Sequence, residues 1–176
     1  NGMDAGVTIG PLIDEKAVAK VEAHVADAVA KGARVVIGGK RHALGGLFFQ
    51  PTVLAEVNGS MQIANDETFG PVAPLFRFRD EAEAIRMAND TEFGLASYFY
   101  ARDLSRVWRV AEGLEYGMVG INTGMISTAI APFGGVKRSG WGREYGTEGL
   151  LEYVQTCAIH APAPFRPGAG SVDPTG

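Results

Sequence analysis

The segment from Glu67 to Val72 carries side chains that a plain sheet-and-helix scaffold does not need. Glu67 stands shortly before the turn Gly70-Pro71, and a carboxylate there can accept hydrogen bonds from the two neighbouring hydroxyls of a ribose. Phe69, two residues further on, can lie against a flat ring. The alternative on these residues alone is a surface glutamate beside a core phenylalanine.

A second segment, Pro132–Glu144, is rich in glycine. Its four glycines let the backbone bend sharply and approach a ligand or another chain closely. The pair Gly140-x-Gly142 does not complete a dinucleotide fingerprint, because no strand runs directly into it and the third glycine is misplaced. A generic glycine-rich turn is the alternative interpretation.

Between these segments, Gly120–Thr123 is predicted to leave a strand at its carboxyl end, and the loop 124–131 follows. Loops in that position are where α/β proteins place ligands. Ser127 and Thr128 are the hydroxyl donors of this loop. They suit the binding of a carboxylate, or simply the capping of a turn.

The sequence offers no evident nucleophile and no metal site. Cys157 lies in Val154–Ile159, which reads as a terminal strand, so we predict a small buried hydrophobe there. His24, His42 and His160 are far apart and lack the spacing of metal ligands. No serine stands in a nucleophile elbow.

The acidic cluster at residues 80–83 is interpreted as a helix start rather than a general acid/base pair. Asp80 with Glu83 resembles a capping box, and the helix is predicted to run through Asn89.

An apolar stripe predicts the first long helix. Asp14 suits its positive end, and Gly32 can supply a left-handed stop. Val35–Ile37 is then predicted to be a short buried strand, and Phe48–Val57 an extended stretch in which Pro51 indicates an edge or irregular position. The stripe recurs at spacings of three and four over Ile13, Ala17, Val18, Val21, Val25, Ala28 and Val29.

The second half of the chain predicts a βαβ unit. Residues 96–101 are strand-like, Asp103 can cap a helix that Gly117 ends, and Met118–Ile121 reads as another buried strand. A parallel α/β sheet covered by helices is therefore the predicted fold class. The residues predicted to share one face of this helix are Leu104, Val107, Trp108, Ala111 and Leu114.

The composition fits an ordinary globular protein and excludes several classes. The 176 residues have a net charge of −4, which argues against binding to nucleic acid or an anionic membrane. A single cysteine fits a reducing compartment such as the cytoplasm. The opening Asn1-Gly2 is expected of a chain cut from something longer, although a processed small protein is the alternative.

Taken together, the two loops resemble the aldehyde dehydrogenase superfamily. The resemblance rests on Glu67–Pro71 and Pro132–Glu144, in that order and at that separation, with Ile121-Asn122 between them. It runs from about Gly6 to Ile159. Within the superfamily the chain looks closest to succinate-semialdehyde dehydrogenases, which it resembles over Thr8–Val18, Phe48–Thr52, Ala73–Phe78, Glu92–Ala96, Tyr98–Arg106 and Gly124–Ser127.

The resemblance implies a domain organisation. Residues 1–153 would be the C-terminal part of the catalytic domain, a parallel sheet with covering helices. Residues 154–161 would be an oligomerisation strand that joins a neighbouring subunit's sheet, making the protein a homo-oligomer. Residues 162–176 would be a Pro/Gly-rich flexible tail.

The resemblance also implies roles in an NAD- or NADP-dependent oxidation of a small aldehyde. Glu67 would hold the nicotinamide ribose and Phe69 would pack near the nicotinamide. Phe133 would line the aldehyde tunnel, and Ser127 would meet the far carboxylate of succinate semialdehyde. The family's attacking cysteine, general base and nucleotide-binding Rossmann unit all lie upstream, so Cys157 matches none of them and the isolated chain is expected to be inactive.

Residues 145–153 are nearer to the general superfamily than to its semialdehyde branch. This leaves open glutarate semialdehyde or another aldehyde as the substrate. A non-catalytic domain serving assembly or binding is a further alternative for the chain on its own.

Overall fold

The computed structural model describes residues 2–160, and the chain divides into two compact units, Asn1–Thr91 and Glu92–Gly176. The tail predicted for residues 162–176 lies outside the described residues. Both units mix short strands with helices, so the predicted α/β class is right. The predicted parallel sheet is corrected: within residues 2–160 the strands form three small sheets of three, two and two strands, with both parallel and antiparallel pairs.

The first unit is a helix-covered mixed sheet. Strand β2 is central, antiparallel to β1 and parallel to β3. The elements are α1 (Glu15–Ala30), β1 (Arg34–Ile37), β2 (Thr52–Val57), a 3-10 turn (Gln62–Ala64), β3 (Val72–Phe76) and α2 (Glu81–Asn89).

Helix α1 forms where the sequence predicted it. The Asp14 carboxylate accepts a hydrogen bond from the Ala17 backbone N–H at 2.8 Å, which satisfies one of the free donors of the first turn. At the other end Gly32 has φ +101°, the left-handed stop that was expected. Asp80 caps α2 in the same way, accepting from the Glu83 N–H at 2.8 Å.

The core of the first unit lies along one stripe of α1. Of the seven residues predicted for this stripe, Val18, Val21, Val25 and Ala28 are buried, whereas Ile13 and Val29 are exposed. The rest of the core comes from the loop after α1, from β2 and from its flanking turns. These residues are Ala33, Phe49, Leu54, Val57, Met61 and Ile63.

Strand β1 corrects one prediction. Its side chains were expected to be buried, but Val36 and Ile37 are exposed. The strand lies at the edge of the sheet, and all four of its residues are exposed, so the described residues cover neither face of the sheet at this strand. Pro51 immediately precedes β2 and belongs to no strand, so of the two positions predicted for it the irregular one is confirmed.

The second unit contains the predicted βαβ arrangement. Strands β5 and β6, which precede and follow α3 along the chain, pair in parallel. Strand β4 pairs with β7 in an antiparallel ribbon. Its elements are β4 (Phe93–Gly94), β5 (Ala96–Phe99), α3 (Leu104–Gly113), β6 (Met118–Ile121), β7 (Val136–Lys137) and α4 (Gly146–Leu151).

Helix α3 departs from the prediction at its end and on its face. Asp103 caps it, accepting from the Arg106 N–H at 2.7 Å. The helix ends at Gly113, before the predicted Gly117, and Leu104 and Trp108 on the predicted apolar face are exposed. Among the described residues of this unit, only glycines are buried.

The predicted terminal strand is not formed within the single chain. Residues 154–160 have no assigned strand or helix, and Cys157 is exposed, which corrects the expectation that its side chain is buried. Within residues 2–160, no helix has the length and apolar character needed to cross a bilayer.

Candidate functional site

In the first unit, the loop at residues 66–71 joins the 3-10 turn to β3 and exposes alternate side chains. Glu67 and Phe69 point outward, and Phe69 is 81% exposed. The alternative that Phe69 belongs to the core is therefore wrong. Its backbone adopts φ +48°, a left-handed conformation uncommon for a residue with a side chain. A residue in this conformation must be held by its surroundings.

The inward side of this loop is fastened to α1. The Thr68 hydroxyl lies 3.0 Å from Nδ1 of His24, and the Lys20 ammonium donates to the Glu67 carbonyl. Gly70 packs so closely that a Cβ there would lie 2.5 Å from Cγ2 of Val21. Helix α1 therefore contacts the loop at Glu67, Thr68 and Gly70.

His24 is a buried polar side chain in this support. Only 3% of it is exposed. Burial, followed by the positive charge of Lys20, lowers the pKa of its imidazole, whereas Asp66 and Asp27 act to raise it. Its Nε2 lies 4.0 Å from Oδ2 of Asp66, too far for a hydrogen bond.

The outward side of the loop is free to bind. Within residues 2–160, no hydrogen bond or ion pair engages the Glu67 carboxylate. A free carboxylate beside an uncovered ring supplies the acceptor that two ribose hydroxyls require and a face for a flat heteroaromatic ring. The residues present therefore fit a nucleotide cofactor.

In the second unit, Asn122 fixes the start of the loop that carries Ser127. Its side-chain amide accepts from the Ala101 N–H and donates to the Ala101 carbonyl, both at 2.9 Å. These bonds continue the β5–β6 pairing by one residue. The Ser127 side chain beyond is exposed, and its hydroxyl has no hydrogen-bond partner in the described part of the chain.

Phe133 stands at the entrance to the glycine-rich segment. Its N–H donates to the Glu144 carbonyl and its carbonyl accepts from the Glu144 N–H, each at 2.8 Å. Its half-buried ring meets Tyr145 edge to face, with centroids 6.0 Å apart. The position of the Phe133 ring is therefore set by the backbone hydrogen bonds to Glu144 and by the contact with the Tyr145 ring.

Within the glycine-rich segment, the Arg143 side chain holds the backbone of residues 134–142 together, and we call this arrangement the clamp. Nη1 of Arg143 lies 2.8, 3.0 and 2.9 Å from the carbonyl oxygens of Gly135, Trp141 and Gly142, so its two N–H donors are shared among three acceptors. Gly134 and Gly135 are buried, and a Cβ on Gly134 would collide with the Gly142 carbonyl. Glycine is required here by close packing.

A cleft of about 380 Å³ opens beside this clamp. It is lined by Leu95, Phe133, Arg143 and Tyr153, among others. Apolar rings with a few polar groups are the usual lining of a small-molecule site.

The four predicted site residues fall into two pairs, one in each unit. Glu67 and Phe69 share the loop at residues 66–71 in the first unit. In the second unit, Ser127 lies in the loop 124–131 and Phe133 near the start of Pro132–Glu144. Among the described residues, no group of three or more His, Cys, Asp or Glu side chains could hold a metal ion.

Sequence reasoning missed the supporting residues. His24 and Lys20 were not predicted to contact the first loop, and neither was the clamp role of Arg143. One signal was available for His24: it lies three residues after Val21 and four before Ala28, so it shares the apolar stripe of α1.

Comparison with known proteins matches residues 1–159 to the aldehyde dehydrogenase family. The chain is 69% identical to a glutarate-semialdehyde dehydrogenase of Pseudomonas aeruginosa and 68% identical to an NADP(+) succinate-semialdehyde dehydrogenase of Escherichia coli. Each alignment covers 89% of this chain and 33% of the relative.

A solved structure agrees. The succinate-semialdehyde dehydrogenase of Burkholderia pseudomallei superposes with a TM-score of 0.85 at 65% identity, over 86% of this chain and 32% of that one. The chain thus spans about a third of the length of these relatives. On the strength of the family match and these relatives, the chain belongs to the aldehyde dehydrogenase family.

Proposed function

We propose that this chain is the C-terminal part of an NAD(P)-dependent aldehyde dehydrogenase that oxidises succinate semialdehyde to succinate. The observation that carries the proposal is the exposure of Glu67 and Phe69 on one loop. This loop presents a free carboxylate and an uncovered ring, and its inward residues are held by α1. A dinucleotide as the ligand of that pair is supported by the Escherichia coli relative, which is named for NADP(+).

In this proposal the first loop binds the cofactor. NAD(P)+, when bound, supplies the acceptor for a hydride. The Glu67 carboxylate accepts hydrogen bonds from the two hydroxyls of the nicotinamide ribose, and the Phe69 ring lies near the nicotinamide. Glu67 would thereby hold the ribose of the bound cofactor in one orientation.

The second unit supplies the aldehyde contacts. Phe133, held by Glu144 and Tyr145, lines the path of the substrate chain. The free Ser127 hydroxyl donates to the distal carboxylate. The chain itself provides no catalytic residue, and the nucleophilic cysteine and the general base come from another part of the longer protein.

The last part of the proposal concerns residues 154–161 and the assembly of subunits. Residues 154–161 form a strand only when a neighbouring subunit's sheet supplies its partner, which accounts for the exposed Cys157 in the single chain.

Glutarate semialdehyde is the second candidate substrate, favoured by the 69% identity to an enzyme named for it. It is one methylene longer than succinate semialdehyde. A single methylene in an apolar pocket changes specificity by only about 10- to 200-fold, so both aldehydes are worth assaying.

The test measures kcat/KM of the whole protein, expressed from the longest reading frame that contains this chain. Ser127→Ala should lower kcat/KM for succinate semialdehyde by about tenfold or more, since a hydrogen bond to a charged group is lost, and leave that for butanal unchanged. Thr128→Val, which removes the neighbouring hydroxyl, is the matched control. Equal losses for the two aldehydes would refute the role of Ser127.

The cofactor half is tested separately. Glu67→Gln should raise the KM for NAD(P)+, because an amide presents only one acceptor oxygen to the two ribose hydroxyls. An unchanged nucleotide KM and kcat would refute the role of Glu67.

A further inference from the structure

Three contacts join the 66–71 loop to α1. His24 lies four residues after Lys20 and three after Val21, so on the helix surface its side chain neighbours both of them. They meet the loop through the Glu67 carbonyl, the Gly70 backbone and the Thr68 hydroxyl respectively.

The loop needs this support because Phe69 has a left-handed backbone. Such a conformation costs free energy for a residue with a side chain, and it persists only when neighbouring residues are fixed. Thr68 and Gly70 are those neighbours. The first is held by a hydrogen bond and the second by contact with Val21.

The His24–Thr68 bond is the directional contact of this set. Contact with Val21 prevents Gly70 from moving inward but does not determine which side chains of the loop face the helix. The 3.0 Å contact between Nδ1 of His24 and Oγ1 of Thr68 determines this, because it fixes the Thr68 side chain at a buried ring. With Thr68 fixed inward, Glu67 and Phe69 are held outward.

We propose that His24 is a positioning residue for the nucleotide. Through Thr68 it holds the loop in the conformation in which the Glu67 carboxylate and the Phe69 ring face the same ligand. This inference rests on the proposed function of that pair. His24 touches neither nucleotide nor aldehyde.

The test compares Thr68→Val with Thr68→Ser in the whole protein. Valine keeps the shape and removes the hydroxyl, whereas serine keeps the hydroxyl. The Kd for NAD(P)H, measured from its fluorescence, should rise about fivefold or more in the valine variant and return close to that of the wild type in the serine variant. The KM for NAD(P)+ should follow, with the KM for the aldehyde unchanged.

A purely structural role gives a different result. It lowers the thermal unfolding midpoint without separating the two KM values. If Thr68→Val does not fold, His24→Asn replaces it: its amide occupies the Nδ1 position and should retain tight binding, whereas His24→Gln, with its amide near the Nε2 position, should not.

The two proposals fail separately. A wild-type protein that binds no NAD(P)H refutes the cofactor role of the first loop itself. A wild type that binds, with valine and serine variants that bind equally well, overturns the positioning role of His24 and leaves the cofactor proposal standing.

Discussion

Replacing Gly70 by alanine measures how tightly the 66–71 loop packs on α1. The new Cβ would lie 2.5 Å from Cγ2 of Val21, well inside van der Waals contact. Val21 is fully buried, so it has little room to move. Overpacking of this kind costs about 1–3 kcal/mol.

An opposing contribution reduces this cost. Gly70 does not have positive φ, so alanine restricts the unfolded chain and thereby stabilises the fold by about 0.4–1 kcal/mol. We therefore expect Gly70→Ala to lower the free energy of unfolding by up to about 2.6 kcal/mol. Gly59→Ala is the matched control, since a Cβ there meets nothing within 4 Å and only the stabilising contribution applies.

Far-ultraviolet circular dichroism in a urea titration is the suitable assay. Both tryptophans and all five tyrosines lie after Thr91, so their fluorescence reports on the second unit, whereas the 16-residue α1 contributes strongly to the helical signal. The double variant Val21→Ala/Gly70→Ala should be more stable than the sum of the single effects by about 1 kcal/mol. Additive effects, or a Gly70→Ala variant as stable as Gly59→Ala, would refute the close packing.

Three further predictions concern separate contacts. Because burial lowers the pKa of His24 below its ordinary 6.5, the unfolded chain binds the proton more readily than the folded chain. The free energy of unfolding should therefore fall as the pH drops below about 6.5. In urea titrations at pH 7.5 and 5.5, His24→Asn should reduce the difference between the two free energies. Asp14→Ala should lower the stability of α1 by about 1 kcal/mol in the circular dichroism assay, whereas Asp14→Asn, also a good cap, should change it little. Arg143→Met leaves the buried Gly135 carbonyl without its donor and should lower the urea midpoint of the second unit, followed by the fluorescence of its aromatic residues; an unchanged midpoint would contradict the clamp.

Local features of the first unit could be predicted from the sequence because their causes are local. Helix α1 follows from a cap, a left-handed stop and an apolar spacing that lie within about twenty residues of one another. The same holds for the βαβ unit, where Asp103 marks the start of α3.

Features that depend on distant contacts could not be predicted. Thr68 meets His24 across 44 positions of sequence, and no periodicity relates the two. The exposure of β1 depends on which sheet edge has a neighbour, since an apolar run reads the same whether or not it is covered. The exposed face of α3 was misjudged for the same reason.

The site residues stay a prediction, and their supporting contacts were not foreseen. Glu67, Phe69 and Ser127 were singled out because their types suit a ribose, a flat ring and a carboxylate, and Phe133 because of the family resemblance. The contacts that hold them, His24 with Thr68 in the first unit and Glu144 and Tyr145 with Phe133 in the second, involve residue types that occur throughout proteins.

The most direct measurement of the central claim is the ratio of kcat/KM for succinate semialdehyde to that for butanal, followed as NAD(P)H formation by the whole protein. The two aldehydes share a four-carbon chain and differ in the distal carboxylate. The proposed anchoring of that carboxylate predicts a ratio of at least about ten, as expected for a charge-assisted hydrogen bond. A ratio near one, or no aldehyde-dependent NAD(P)H with either compound, would contradict the account.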